Sequence, residues 1–123
     1  MRYDPEVAPD PARWLAAPEA DRLDAVRRHH KKAKCRSESP ELHAVIHIAV
    51  ETQLAEGHAA ATAAMDRLIA EGLDRHEALH AIGSIVAAEM CDVVKSKRTH
   101  DPEAYSRRLG KLTAASWRAG DVE

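Results

Sequence analysis

The chain has 123 residues, of which 45% are hydrophobic and 3% aromatic, with a formal net charge of −2 at pH 7. This length suits one domain rather than two, and the near-neutral charge gives no field that would attract nucleic acid or an anionic membrane. Phenylalanine is absent and small aliphatic residues supply the apolar surface, which favours packed helices over a β-sandwich. We expect one all-α domain over residues 1–123, a bundle of about five helices with an extended N-terminal arm.

Cysteine usage and hydropathy favour a cytoplasmic protein that does not contact membranes. Cys35 and Cys91 are isolated, without a CxxC motif, and two free thiols are typical of a reducing compartment. We expect Cys91 to be a core thiol. The first residues lack the apolar segment of a signal peptide, and the apolar runs are far shorter than a membrane span.

Residues 1–17 are predicted to form an arm that packs on the helical body of residues 18–119. The arm contains several prolines and ends in a short helical turn, which Asp10 before Pro11 would start. Trp14 and Leu15 lie in this turn and can fill a groove on the body.

Apolar residues at helical spacing predict about five helices in the body. Ser39 before Pro40 is a helix start, Gly72 is a helix end, and Asp74 with Glu77 forms a capping-box pattern. The predicted helices cover Pro18–Lys34, Pro40–Glu56, residues 59–71, Asp74–Lys95 and Asp101–Ala119. The second helix is expected to bury Leu42, Val45, Ile46, Ala49, Val50 and Leu54, and the last to use Leu109, Leu112 and Trp117.

Two histidine pairs are the specific chemical signal of the sequence. His43 and His47 belong to the second predicted helix, and His76 and His80 to the fourth. A spacing of four places both rings of a pair on one helix face, so that two imidazoles can bind one ion. Short connections predict helices that run up, down and up, which makes the second and fourth parallel and the pairs level.

Four converging imidazoles predict a site for one divalent transition metal. Zinc is the first choice because it accepts tetrahedral nitrogen ligation, and iron, nickel or copper also suit an all-nitrogen site. Glu51 lies one turn after His47 and is expected to add a carboxylate ligand or to support a ligand ring from outside. The role would be structural, sensory or storage. The alternative is a metal-free helical interaction protein, such as a homodimer.

The residues from His76 to His80 also spell HExxH, the zinc-protease motif in which the glutamate is the general base. Glu77 would be the catalytic residue of a minimal zinc hydrolase, with His43 or His47 as third ligand. No strand is predicted that could hold an extended peptide, and the capping box accounts for Glu77. We therefore expect no catalytic residue unless the protein is a hydrolase.

A basic block runs from Arg27 to Arg36. It could lie along a phosphate backbone, but no aromatic residue is interleaved and no DNA-binding motif accompanies it. The block favours a solvated helix end over nucleic-acid binding.

The sequence resembles a bacterial family catalogued as a domain of unknown function, number eighteen-forty-one. The resemblance covers most of residues 1–95 and rests on Tyr3-Asp4-Pro5, Pro9-Asp10-Pro11 with Trp14-Leu15, the segment from Leu42 to His47, Gln53-Leu54-Ala55 and the segment from Arg75 to Gly83. It implies a small helical protein without assigned activity. It also implies that histidine recurs in relatives at positions 43, 47, 76 and 80, whereas Asp or Ala can replace Glu77. The helix after Asp101 is not covered.

Overall fold

Helices make up all the regular secondary structure that the computed structural model describes, over residues 2–33, 40–97 and 99–120. The expectation of an all-α bundle is therefore confirmed. The helices are α1 Pro11–Ala16, α2 Glu19–Ala33, α3 Pro40–Ala55, α4 Ala59–Ala70, α5 Arg75–Ser96, α6 Pro102–Lys111 and α7 Ala114–Ala119. None of them, in these ranges, is long and apolar enough to cross a bilayer.

The predicted start and stop signals act as helix caps. The Asp10 carboxylate accepts the Arg13 N–H at 3.0 Å, and the Asp74 carboxylate accepts the Glu77 N–H at 2.8 Å. Each bond satisfies a backbone donor that a helix start leaves unpaired. Gly72 follows α4 with φ of 103°, a conformation that favours glycine. The predicted cap at Ser39 lies outside the described residues.

The helix predicted over residues 101–119 is in fact two helices. Thr113 starts α7 with a capping box, in which its hydroxyl accepts the Ser116 N–H and the Ser116 hydroxyl accepts the Thr113 N–H. Arg67 of α4 donates to the carbonyl oxygens of Leu109 and Leu112 at 2.7–3.1 Å. The last carbonyl oxygens of a helix have no hydrogen-bond donor within the helix. Arg67 supplies donors to them here, which stabilises the break between α6 and α7.

The N-terminal arm packs on the body, as expected. Trp14 is fully buried against α2 and α3, and its indole N–H donates to the Thr52 hydroxyl at 3.0 Å. Leu15 is 40% exposed, so only Trp14 fills the groove, because consecutive residues of a helical turn point in different directions.

The buried face of α3 differs from the predicted stripe. Leu42 and Val45 are 50% and 47% exposed, whereas His47 and Glu51 are 3% and 1% exposed. Helix α3 is covered by α1 and α2 on one flank and by α5 on another. The apolar residues of α3 are spread around the helix, so their pattern alone does not identify the covered side.

Helices α3 and α5 pack against each other along the segments that carry the histidine pairs. Arg75 of α5 binds Glu51 of α3, and the His80 ring lies 4.7 Å from the His43 ring, centroid to centroid. Helix α4 packs mainly on α5 and α6 and also contacts α3. That α3 and α5 run parallel stays a prediction.

The two helices approach closely at Gly83. A Cβ atom at this position would lie 2.7 Å from Ile46 Cγ2, closer than packed carbon atoms allow. The lack of a side chain at Gly83 therefore lets α3 approach this closely. The close contact brings the histidines of both helices to one level.

Candidate metal centre

Three of the four predicted histidines converge between α3 and α5. One nitrogen each from His43, His47 and His80 lies within 4.8 Å of the others. The Nε2 atoms of His47 and His80 are 3.1 Å apart. Ligand atoms of a tetrahedral zinc ion, at about 2.0–2.1 Å from the metal, lie about 3.3–3.4 Å from one another. The His47–His80 pair is therefore already at metal-ligand spacing.

The fourth predicted histidine lies beside this group and is not a member of it. The His76 ring centroid is 4.4 Å from that of His80 and 5.3 Å from that of His47. The backbone N–H of His76 donates to the Glu6 carboxylate of the arm at 2.5 Å. His76 thus lies next to the cluster, whereas the other three form the compact set.

The environment of the cluster favours a neutral His43 ring. His47 is buried, and His43 and His80 are partly buried. Burial, followed by the neighbouring His76, lowers the pKa of His43. A lowered pKa keeps the ring unprotonated at neutral pH, which is the form that binds a metal.

Tyr3 of the arm fixes the orientation of the His47 ring. Its hydroxyl donates to Glu51 Oε2 at 2.7 Å, and its oxygen lies 3.0 Å from His47 Nδ1. Because the tyrosine proton is directed to the carboxylate, the oxygen accepts the Nδ1–H of His47. This tautomer leaves the His47 Nε2 lone pair facing His80, as a metal ligand requires.

Glu51 therefore supports the cluster indirectly, through Tyr3, and is not placed as a ligand. Its two carboxylate oxygens also accept from Arg75 at 2.7 and 2.8 Å, and Arg75 donates to the Pro5 carbonyl oxygen at 2.9 Å. Glu51 thus contacts the His47 imidazole only through Tyr3, which lies between the carboxylate and the ring.

Arg75 balances the negative charge of Glu51, which also accepts the Tyr3 hydroxyl. Burial raises the pKa of Tyr3 well above its usual range, and the negative charge of Glu51 adds to the effect. Burial by itself would lower the pKa of Arg75, but the hydrogen bond and charge of Glu51 outweigh it and raise the pKa. Tyr3 thus remains protonated and Arg75 remains positively charged across the physiological range.

A pocket of about 240 Å³ adjoins the cluster. His43, His47 and His80 form one part of its wall, and His76 does not line it. The remaining lining residues are Ile46, Leu79, Gly83, Ser84, Ala87 and Trp117. The three converging histidines therefore face a partly open pocket from one side.

Glu77 is turned away from the imidazole cluster. Its carboxylate accepts the indole N–H of Trp117 at 2.9 Å, so the return bond of the predicted capping box is replaced by a contact with α7. The HExxH segment places His80 in the cluster and His76 beside it. No strand occurs in the described ranges that could hold an extended peptide.

Tyr3 and Arg75 are functional candidates that the sequence patterns did not identify. Tyr3 lies 44 positions before His47, and no local spacing connects two residues so far apart. Arg75 directly follows the cap of α5, where it reads as a surface residue. The proline-rich composition of the arm was the available signal, because an extended arm must lie on some surface.

Other predicted features lie away from the cluster. Arg27 and Arg28 of the basic block are exposed, and the side chains after Arg28 up to Arg36, with Cys35, lie outside the described residues. Cys91 is exposed, so the expectation of a core thiol is wrong. It lies next to Met90 and near Val94 on the solvent side of α5.

Comparison of the chain with protein-family models, with curated proteins and with solved structures found no match. The resemblance to the family of unknown function therefore stays a prediction.

Proposed function

We propose that the protein binds one divalent transition metal ion through His43, His47 and His80, with zinc as the first choice. The observation that carries this proposal is the convergence of three histidine nitrogens within 4.8 Å. The widest separation would have to shorten by about 1.4 Å to reach tetrahedral zinc spacing, a change that side-chain rotation can supply. Iron, nickel and copper also accept imidazole ligands.

The fourth coordination position is proposed to face the pocket. Three histidines and one exchangeable ligand form an open site, in contrast to the closed sites of structural zinc. The pocket adjoins the three rings but not His76, which supports three protein ligands over four. This arrangement fits a sensory or storage role in the cytoplasm better than a purely structural one.

Metal analysis tests the proposal directly. Protein purified without an affinity tag should contain close to one equivalent of metal, and His47→Ala and His80→Ala should lose it. His100→Ala is the matched control, because His100 is exposed and pairs with Glu89, away from the cluster. His76→Ala should keep its metal. A metal-free native protein whose melting temperature ignores added zinc would refute the proposal.

Self-association is a second candidate function, supported by exposed apolar side chains. Leu42 and Val45 of α3 and Met90 and Val94 of α5 are all exposed, and surfaces of this kind often mark protein contacts. Sedimentation of wild type beside Val94→Lys tests it, since a dimer held by this surface would dissociate in the variant.

A further inference from the structure

The pocket continues past the histidines into apolar surroundings. Ile46, Leu79 and Ala87 line it beyond the imidazole rings. None of the described residues that line the pocket is Asp, Glu, Lys or Arg. The pocket volume of about 240 Å³ is below the range of about 300–1,000 Å³ typical of sites for drug-sized ligands, so the pocket suits a smaller molecule.

The polar side chains at the pocket are already engaged in other bonds. The Ser84 hydroxyl donates to the Ala81 carbonyl oxygen at 2.6 Å, and the Trp117 indole N–H donates to Glu77. Apart from the imidazoles, the side-chain donors of the described residues that line the pocket are thus already engaged. A ligand that fills it needs one polar end at the imidazole cluster and an apolar remainder.

The positive charge of the proposed metal ion favours a ligand whose polar end is anionic. Three neutral imidazoles leave a bound divalent ion with its full positive charge. The Glu51 carboxylate is paired with Arg75 and separated from the cluster by Tyr3, so it does not neutralise the ion at close range. A negatively charged ligand at the open position is therefore favoured in this partly buried site.

We infer that the open position of the ion takes a short-chain aliphatic monocarboxylate. The inference rests on the proposed metal site. The carboxylate binds the ion, and the chain lies along Ile46, Leu79 and Ala87. Hexanoate is smaller than a drug-sized ligand, as the volume of about 240 Å³ requires.

Cobalt-loaded protein tests this inference, because the visible spectrum of cobalt(II) reports both metal binding and a change of its fourth ligand. Acetate, butanoate and hexanoate are titrated, with hexanamide as the neutral control of equal size. The spectrum should change with each carboxylate, and binding should tighten about fourfold per added methylene up to hexanoate. Hexanamide should have no effect at the same concentrations.

A pocket-filling variant separates the chain-binding part from the ion. Ala87→Leu occupies the pocket and should weaken hexanoate binding at least tenfold while leaving acetate binding and cobalt uptake unchanged. Ala63→Leu is the matched control, because Ala63 is exposed on α4, and it should behave as wild type.

The outcomes distinguish the two proposals. If cobalt binds and hexanoate leaves the spectrum unchanged, the carboxylate inference is wrong and the metal site stands. Carboxylate affinity that is independent of chain length, or equal in Ala87→Leu and wild type, also overturns the inference. If no cobalt binds to the wild type, the metal site itself is refuted.

Discussion

Tyr3→Phe is the sharpest test of how the arm supports the metal centre. The substitution keeps the ring and removes the hydroxyl, which donates to Glu51 at 2.7 Å and lies 3.0 Å from His47 Nδ1. The His47 N–H then loses its acceptor, and the ring is free to rotate or to change tautomer. Removal of such outer support typically lowers metal affinity about 10–100-fold.

Stability should fall as well. Tyr3 is 8% exposed, and a buried hydrogen bond to a charged group contributes about 1.5–3 kcal/mol. A loss of about 2 kcal/mol corresponds to roughly 6–10 °C in Tm for a domain of this size. Calorimetric titration with zinc and thermal unfolding of the metal-free protein measure the two effects separately.

Tyr105→Phe is the matched control for this experiment. Tyr105 is equally buried, and its hydroxyl donates to Gln53 Oε1 at 2.7 Å, away from the histidines. It should lower Tm without changing zinc affinity. Wild-type zinc affinity in Tyr3→Phe would refute the proposed role of the tyrosine, whatever happens to Tm.

Three further predictions concern packing and pH. Gly83→Ala places a Cβ 2.7 Å from Ile46 Cγ2, so the free energy of unfolding should fall by about 1–3 kcal/mol and zinc affinity should fall with it. Gly110→Ala is the control, because a Cβ at position 110 would have nothing within 4 Å, and it should stabilise α6 by up to about 1 kcal/mol. Burial raises the pKa of Tyr105 to about 12, so as pH rises the unfolded chain loses this proton before the folded chain does. The free energy of unfolding should therefore decline as pH rises from about 10 to 12, and this decline should be less steep in Tyr105→Phe. The pKa of His43 is lowered, so as pH falls the unfolded chain binds this proton before the folded chain does. The stability of the metal-free protein should therefore decline below the ordinary histidine pKa of about 6.5. Chemical unfolding at several pH values should show a weaker decline in His43→Gln, and the same decline in both proteins would contradict this prediction.

Local patterns predicted the helices and the histidine pairs because both depend on spacing along one helix. Asp10, Asp74 and Gly72 are caps, and a cap acts within four residues of itself. The spacing of His43 with His47 likewise fixes two rings on one face. The break before Thr113 had a local signal too, in the Thr113–Ser116 capping pattern, which the apolar spacing of the segment obscured.

Tertiary relations were not accessible in the same way. Helix α4 packs mainly on α5 and α6, and short connections do not determine that. Tyr3 reaches His47 across 44 positions, a distance for which sequence periodicity carries no information. Leu42 and Val45 were assigned to the core because α3 is apolar on several sides, so a wheel could not select the covered one.

The arm lies on His47, one of the proposed ligands, and on residues next to the histidine cluster. Its contacts fall on His47 and Glu51 through Tyr3, and on Arg75 and His76 through Pro5 and Glu6. Coupling between two binding events is reciprocal, so an ion that prefers the docked arm must also hold the arm in place. A protease that cuts the first ten residues should therefore act more slowly on the zinc-loaded protein, and the rate of that cut would measure how strongly the ion and the arm are coupled.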